Sequence, residues 1–442
     1  MWHSRQYLCS VTAGLLILLS SSATAEDTTR VLNQFLSEGR LADSEKYFSK
    51  ASQLDSSTAE EHTALGITRL LQAIEYLGQS GYRYGLMSHR ARTLPMLRMP
   101  VPLNPNPEQL SYETLREIVT TFQSKLASAE SAMANANTES LRLDFYIGDV
   151  ALDLDQNGEA SEPEKLWSIF IAISRREAAP QFGVNGDPAE SADSTTEMRR
   201  VAEEFYVGID GADVHWLRGY CHVLMAMCDF ALAYDEKELF EHCGQMFFPN
   251  IKSPYLIPSI ADKSENRFID VELLMDGVAA IHLIDFKLVD AERMKSSRQH
   301  LLAMIAQSRE SWSRALQETD NDHEWIPNPK QTGVLNLPVR NELITGWHAV
   351  LNEMEDVLEG EKLVPMLRDF AWVNSVDTTK ADRGINLKKF FDEPSDFDLI
   401  LAIHGSGVSQ YLESGKVSSE ETWMRLTQIF QGQFFGFAVW FN

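Results

Sequence analysis

The stretch Ala42–Gln79, ADSEKYFSKASQLDSSTAEEHTALGITRLLQAIEYLGQ, decides the fold class. Its apolar residues recur every three or four positions, and Asp55-Ser56-Ser57 interrupts them once. That period puts one face of each of two helices against a core, whereas a half-buried strand would alternate at every second residue. Helices are therefore expected over about Ala42–Leu54 and Thr58–Gln79. Upstream, Leu32, Phe35 and Leu36 repeat the pattern until Gly39 breaks it. Downstream, Leu94–Pro107 carries Pro95, Pro100, Pro102, Pro105 and Pro107, a density that no helix survives. Helical spacing returns over Tyr112–Ala134, over Val214–Tyr234 with Asp213 as its N-cap, in a broken pair over about Asp270–Glu318, and over Asn341–Leu358 before Gly360. Val373–Asp396 reads as irregular. The expected fold is all-α: a multi-helix bundle with a helical hairpin over 26–94, a Pro-rich connector over 95–107 and a helical body over 108–442.

Within the opening stretch, Ser44, Phe48 and Ala51 hold a small-aromatic-small spacing, and Leu65-Gly66 follow. In this the hairpin resembles a tetratricopeptide unit. The resemblance implies two antiparallel helices whose backbones meet where the side chains are small. No clear array follows, so it covers the hairpin alone.

Residues 1–25 read as a secretory leader. Arg5 gives a positive start, Val11–Leu19 is apolar, and Ala23-Thr24-Ala25 satisfies the small-residue rule for cleavage. The apolar run is shorter than the ~20 residues a membrane span needs. The chain carries a formal charge of −25, which disfavours nucleic acid and anionic membrane surfaces as partners. The expected location is periplasmic or secreted. Past the leader stand Cys221, Cys228 and Cys243. The first two lie ~10 Å apart along one helix, too far to bridge. Cys243 with Cys221 or Cys228 is a possible disulfide, and three buried thiols is the alternative.

The densest chemical signal is Asp153-Leu154-Asp155-Gln156-Asn157-Gly158-Glu159-Ala160-Ser161-Glu162-Pro163-Glu164. It resembles the twelve-residue EF-hand loop. Calcium takes six to eight oxygens, and the resemblance assigns them as follows. Asp153, Asp155 and Asn157 stand at positions one, three and five, and Gly158 takes the sharp turn at six. Glu159 offers its carbonyl at seven, Ser161 stands at nine, and Glu164 at twelve is the bidentate carboxylate. Ca2+ is thus the expected cofactor, fixing the turn between two helices. Ser161 and Glu164 also form a capping box, with Pro163 in the first turn. Two positions depart from the pattern. Ala160 stands where a branched apolar residue would pair with a second hand, Lys165 follows where an apolar residue is usual, and no second hand is found.

Other constellations are weaker. His215, His222 and Asp229 recur every seven residues on one helix, ~10 Å apart and too far for one ion. Trp216, Tyr220 and Met227 read as a core stripe. His404-Gly405-Ser406-Gly407 lacks the hydrolase elbow. The terminal aromatics Phe430, Phe434, Phe435, Phe437, Trp440 and Phe441 read as core packing. The whole resembles a bacterial exported helical protein. Its expected role is calcium binding with a binding or scaffold function in the cell envelope, toward a protein or small-molecule ligand. The rival is an envelope enzyme with Asp322, Glu324 and either His323 or His404 in a cleft. A third reading is a small apolar ligand held between helices.

Overall fold

Thr58 starts helix α3 (Ala59–Arg83). Its hydroxyl accepts from the Glu61 amide while the Glu61 carboxylate accepts from the Thr58 amide, so two orphan donors of the first turn are satisfied. Helices α1 (Ala25–Ser37) and α2 (Leu41–Ala51) pack on α3, and α4 (Tyr112–Ala134, capped by Ser111) covers its other side. The computed structural model describes residues 25–88, 101–169, 200–201, 204–255, 271–334, 339–366 and 382–419. The leader before Ala25, the aromatic carboxyl end and residues 95–100 of the connector lie outside them.

The small residues of the opening stretch do what close packing requires. Ser44 and Thr68 share a buried hydrogen bond of 2.8 Å between α2 and α3. A β-carbon on Gly66 would lie 2.2 Å from Met133 Cγ and 3.2 Å from the Ala129 carbonyl, so glycine lets α3 approach α4. Leu32, Phe48 and Leu65 share one core with Phe122, Leu126 and Met133. The hairpin over 26–94 therefore has no core of its own, because α4, from beyond the connector, closes its apolar face.

Helix α5 (Gly211–Ala233) is central. Its N-cap is Asp210, three residues earlier than the expected Asp213. Asp210 accepts from the amides of Ala212 and Asp213, and Asp213 returns a bond to the Asp210 amide. The sequence signal was right in kind, since both aspartates belong to one capping box. Val214, Cys221 and Cys228 of α5 face the first core, while Ala212 and Ala233 face a second. That second core is built with α8 (Ala291–Ala315), α9 (Asn341–Leu358) and α10 (Leu387–Asp392). The helices α6 (Lys237–Cys243), α7 (Val271–Leu283) and α11 (Leu399–His404) are further helical elements.

The described residues are mainly helical, in keeping with the expected helical fold class, and short strands join the helices. Seven short strands form three small antiparallel sheets among the described residues. β1 (Leu143–Phe145) pairs with β2 (Val207–Ile209). β3 (Tyr234–Asp235) and β6 (Phe397–Asp398) flank β4 (Asp285–Leu288). β5 (Arg383–Ile385) pairs with β7 (Leu412–Ser414). These segments lie at helix ends, where an extended residue has no helical partner for its amide and finds one across the gap. β5 and α10 also give structure to a stretch expected to be irregular. No helix among the described residues is long and apolar enough to cross a membrane.

The seven-residue stripe on α5 faces α8. His215 bonds Gln307 at 2.7 Å, His222 bonds His300 at 3.0 Å, and Asp229 bonds Arg293 at 2.8 Å. Both series step by seven in opposite directions, as an antiparallel helix pair demands. Cys221, Cys228 and Cys243 are free buried thiols, the alternative to the possible bridge from Cys243. Cys243 donates to the Asp276 carbonyl of α7, whereas Cys221 and Cys228 belong to the core under α3 and α4.

Candidate metal centre

The chain enters the twelve-residue loop from β1 and a single 3-10 turn, Ile147–Asp149, not from a helix. The expectation of a turn between two helices is corrected on its leading side. The cause is pairing: Leu143 and Phe145 are held in register against Ile209 and Val207. On the trailing side, Glu162–Glu164 form a 3-10 turn and residues 166–169 are helical; residues 170–199 lie outside those described.

Inside the loop Asp153, Asp155 and Glu164 collect backbone amides. Asp153 accepts from the amides of Asn157 and Gly158, both at 3.1 Å. Asp155 accepts from the Asn157 amide at 3.0 Å and from its side-chain nitrogen at 3.0 Å. The Asn157 side-chain oxygen Oδ1 accepts from the Glu159 amide at 2.8 Å, and Glu159 itself is exposed. The wrapping requires left-handed backbone at Gln156 (φ 60°) and Gly158 (φ 89°), and the glycine supplies it without strain.

Glu164 is buried and accepts four bonds: from the amides of Leu154 (2.8 Å), Asp155 (3.2 Å) and Ser161 (2.8 Å), and from the Ser161 hydroxyl (2.5 Å). The expected capping box is part of this set. One carboxylate oxygen from each of Asp153, Asp155 and Glu164 lies within 4.8 Å of the others. The fold thus gathers positions one, three and twelve, with Asn157 hydrogen-bonded to Asp155 and Ser161 to Glu164.

Three side chains of α3, each four residues from the next, dock the loop. Glu75 accepts from the Asp153 amide at 2.9 Å, and Gln79 donates to the Asp153 carbonyl at 2.8 Å. Arg83 donates to the Gln156 side chain at 2.6 Å. Burial, with Asp153 and Glu164 nearby, pushes the Glu75 carboxyl up to about 7. Ala160 also finds a partner. A β-carbon on Gly39 would sit 2.5 Å from Ala160 Cβ, so the loop packs on the α1–α2 turn where a second hand would otherwise pair. Lys165, the other departure from the pattern, forms an ion pair with Asp149 at 2.5 Å.

A second carboxylate group escaped sequence reading. Asp210, Glu318 and Glu324 bring one oxygen each within 4.8 Å of one another. They come from the α5 N-terminus, the end of α8 and the loop after it. Burial, with Asp210 beside it, pushes Glu318 up to about 8. Burial also raises Glu324, and it raises Asp213 well above the ordinary carboxyl range. Of the residues expected to share a cleft, Glu324 belongs to this group. Asp322 pairs with Arg142 and with His323, whose ring stacks on Tyr206 at 3.9 Å. His404, the last residue of α11, bonds the Ser406 hydroxyl beyond it and is not part of this group. In the stripe read as core, Trp216 stacks on Tyr220, but Met227 is 41% exposed.

Comparison of the chain with known protein families, with characterised proteins and with solved structures finds no match. The chemistry of the site therefore rests on its own geometry.

Proposed function

We propose that this is an exported, calcium-binding helical protein with a binding or scaffold role in the cell envelope. The observation that carries the calcium reading is the approach of Asp153, Asp155 and Glu164 within one loop of EF-hand spacing. Hard carboxylate oxygens on a flexible loop suit calcium. The ion acts as a staple, because the loop is docked on both α3 and the α1–α2 turn. The α2–α3 hairpin is of tetratricopeptide type, with its small residues at the helix contact. Export rests on the leader-like residues 1–25.

Glu164 already holds four donors, and calcium must displace some of them. Affinity is accordingly modest, in the ~10⁻⁴ to 10⁻³ M range of extracellular modules. Calorimetry on chelator-treated protein tests this. The expected result is one calcium site in that range, lost in Glu164→Gln. Absence of calcium heat up to millimolar metal would sink the reading.

The rival reading, an envelope enzyme, is favoured by one observation: the Asp210, Glu318 and Glu324 carboxyls, two of them raised in pKa, in the manner of general acids. Its test is a screen of hydrolytic substrates with Glu318→Gln as control. Activity lost in that variant would favour the enzyme; activity that persists would argue against these groups.

A further inference from the structure

Helices α3, α4 and α5 do not close on one another along their whole length. Between them lies a cavity of about 340 Å³. Leu77 and Gly81 of α3, Ile118 and Phe122 of α4, and Phe230 of α5 form much of its wall. Its exposed lining residues are Met227 and Ala231, which mark the mouth.

The lining fixes the chemistry of an occupant. No lining residue is charged. The Ser80 hydroxyl is already spent on the Tyr76 carbonyl at 2.8 Å. Burial pushes the Cys228 thiol up to about 12, so it stays neutral. An ordered water needs two to four polar partners, and apart from Tyr84 at the wall this lining offers few. The volume is more than twice the ~150 Å³ of an engineered cavity that takes benzene. It also falls within the ~300–1,000 Å³ of small-molecule sites. Close-packed interiors rarely leave such a space, because each void forfeits dispersion contacts around its whole surface.

We propose that this cavity binds an uncharged, hydrocarbon-like small molecule of two to three rings or a medium-length chain, entering past Met227 and Ala231. The site is separate from the calcium loop and stands whether or not that loop takes metal.

The probe is N-phenyl-1-naphthylamine, titrated into the full chain and followed by its emission. The matched anion 8-anilino-1-naphthalenesulfonate is titrated in parallel. The expected result is one saturable site with micromolar Kd for the neutral probe, at least tenfold tighter than for the anion. Ala231→Trp and Met227→Trp both place a ring in the mouth from exposed positions, so folding is preserved and probe affinity falls at least tenfold. Val278→Asp alters a different apolar surface, the 63% exposed Val278 on α7, and leaves affinity unchanged. The proposal is overturned by any of four results. These are no saturable binding, equal affinity for the anion, full affinity in both mouth variants, or loss of binding in Val278→Asp.

Discussion

The two carboxylate groups of this protein have the same size and opposite electrostatics. In the loop, Asp153, Asp155 and Glu164 lie within twelve residues of sequence, and the backbone between them turns its amides inward. Negative charge is met by donors that the same turn supplies. At the start of α5, Asp210 meets Glu318 and Glu324 from the distant segment that follows α8. Asp210 spends one oxygen on its own helix start, and Glu324 accepts the Asp322 amide at 2.8 Å. Glu318 accepts from the Gln331 side chain at 3.3 Å, and its other hydrogen-bonding neighbour is the Asp210 carboxyl, which needs a proton to bond it. Too few donors reach the second group, so protons compensate it, as the raised carboxyls show. A local cluster is built around its charge, while an assembled one must borrow a counter-charge.

Removing the loop's anchor should give the largest effect. Glu164→Ala strands three amides and a hydroxyl, and costs about 3 kcal/mol of stability by urea unfolding. A cost near zero would mean that the loop does not depend on its own carboxylate. Gly39→Ala follows. The substitution forces a side chain onto a φ of 66° and against Ala160, at about 2 kcal/mol. Its unfolding midpoint should fall, with a weaker calcium signal as the loop lifts away.

Glu318→Gln should act in the other direction. Its folded pKa of about 8 stands above the ordinary 4.5, so folding favours the protonated form. That contribution is complete below pH 4.5 and is lost as pH rises through 8. The neutral amide therefore stabilises the protein at pH 8 by about 1 kcal/mol after allowance for solvent screening. Stability that still falls between pH 5 and 8 with unchanged slope in the variant would break the comparison.

The smallest effect lies on the acid side. Burial lowers the pKa of both His222 and His300 below 6.5. Glu130 and Asp229 oppose that shift, while Arg218 and the partner imidazole reinforce it at His222. Stability is present above pH 6.5 and is lost as pH falls toward the lowered values. His300→Gln should make that acid limb shallower in thermal melts taken from pH 7 to 5.

The loop was legible because its chemistry is contiguous: residue spacing, the turn glycine and the Ser161–Glu164 box all survive in one dimension. Helix α4 was legible to the residue because Ser111 caps it and Asn135 ends it. The segment leading into the loop was misread, since Leu143 and Phe145 are apolar in a helix or a strand alike and only the pairing with β2 decides. The second carboxylate group was invisible because no spacing links Asp210 to Glu318. The stripe of His215, His222 and Asp229 was visible but incomplete. Its meaning required the matching series Arg293, His300 and Gln307 to be laid beside it in reverse.

That ladder acts as a register key. Sliding α8 past α5 by one turn, about 5.4 Å, would unmake all three pairs together. A slide of seven residues would realign the rungs but mismatch their chemistry. His222 would then meet Arg293, His215 would meet His300, and Asp229 would be left buried without its arginine. Any other alignment is thereby penalised through groups that add little to the correct one. The two central helices of the molecule thus have one setting in which they fit.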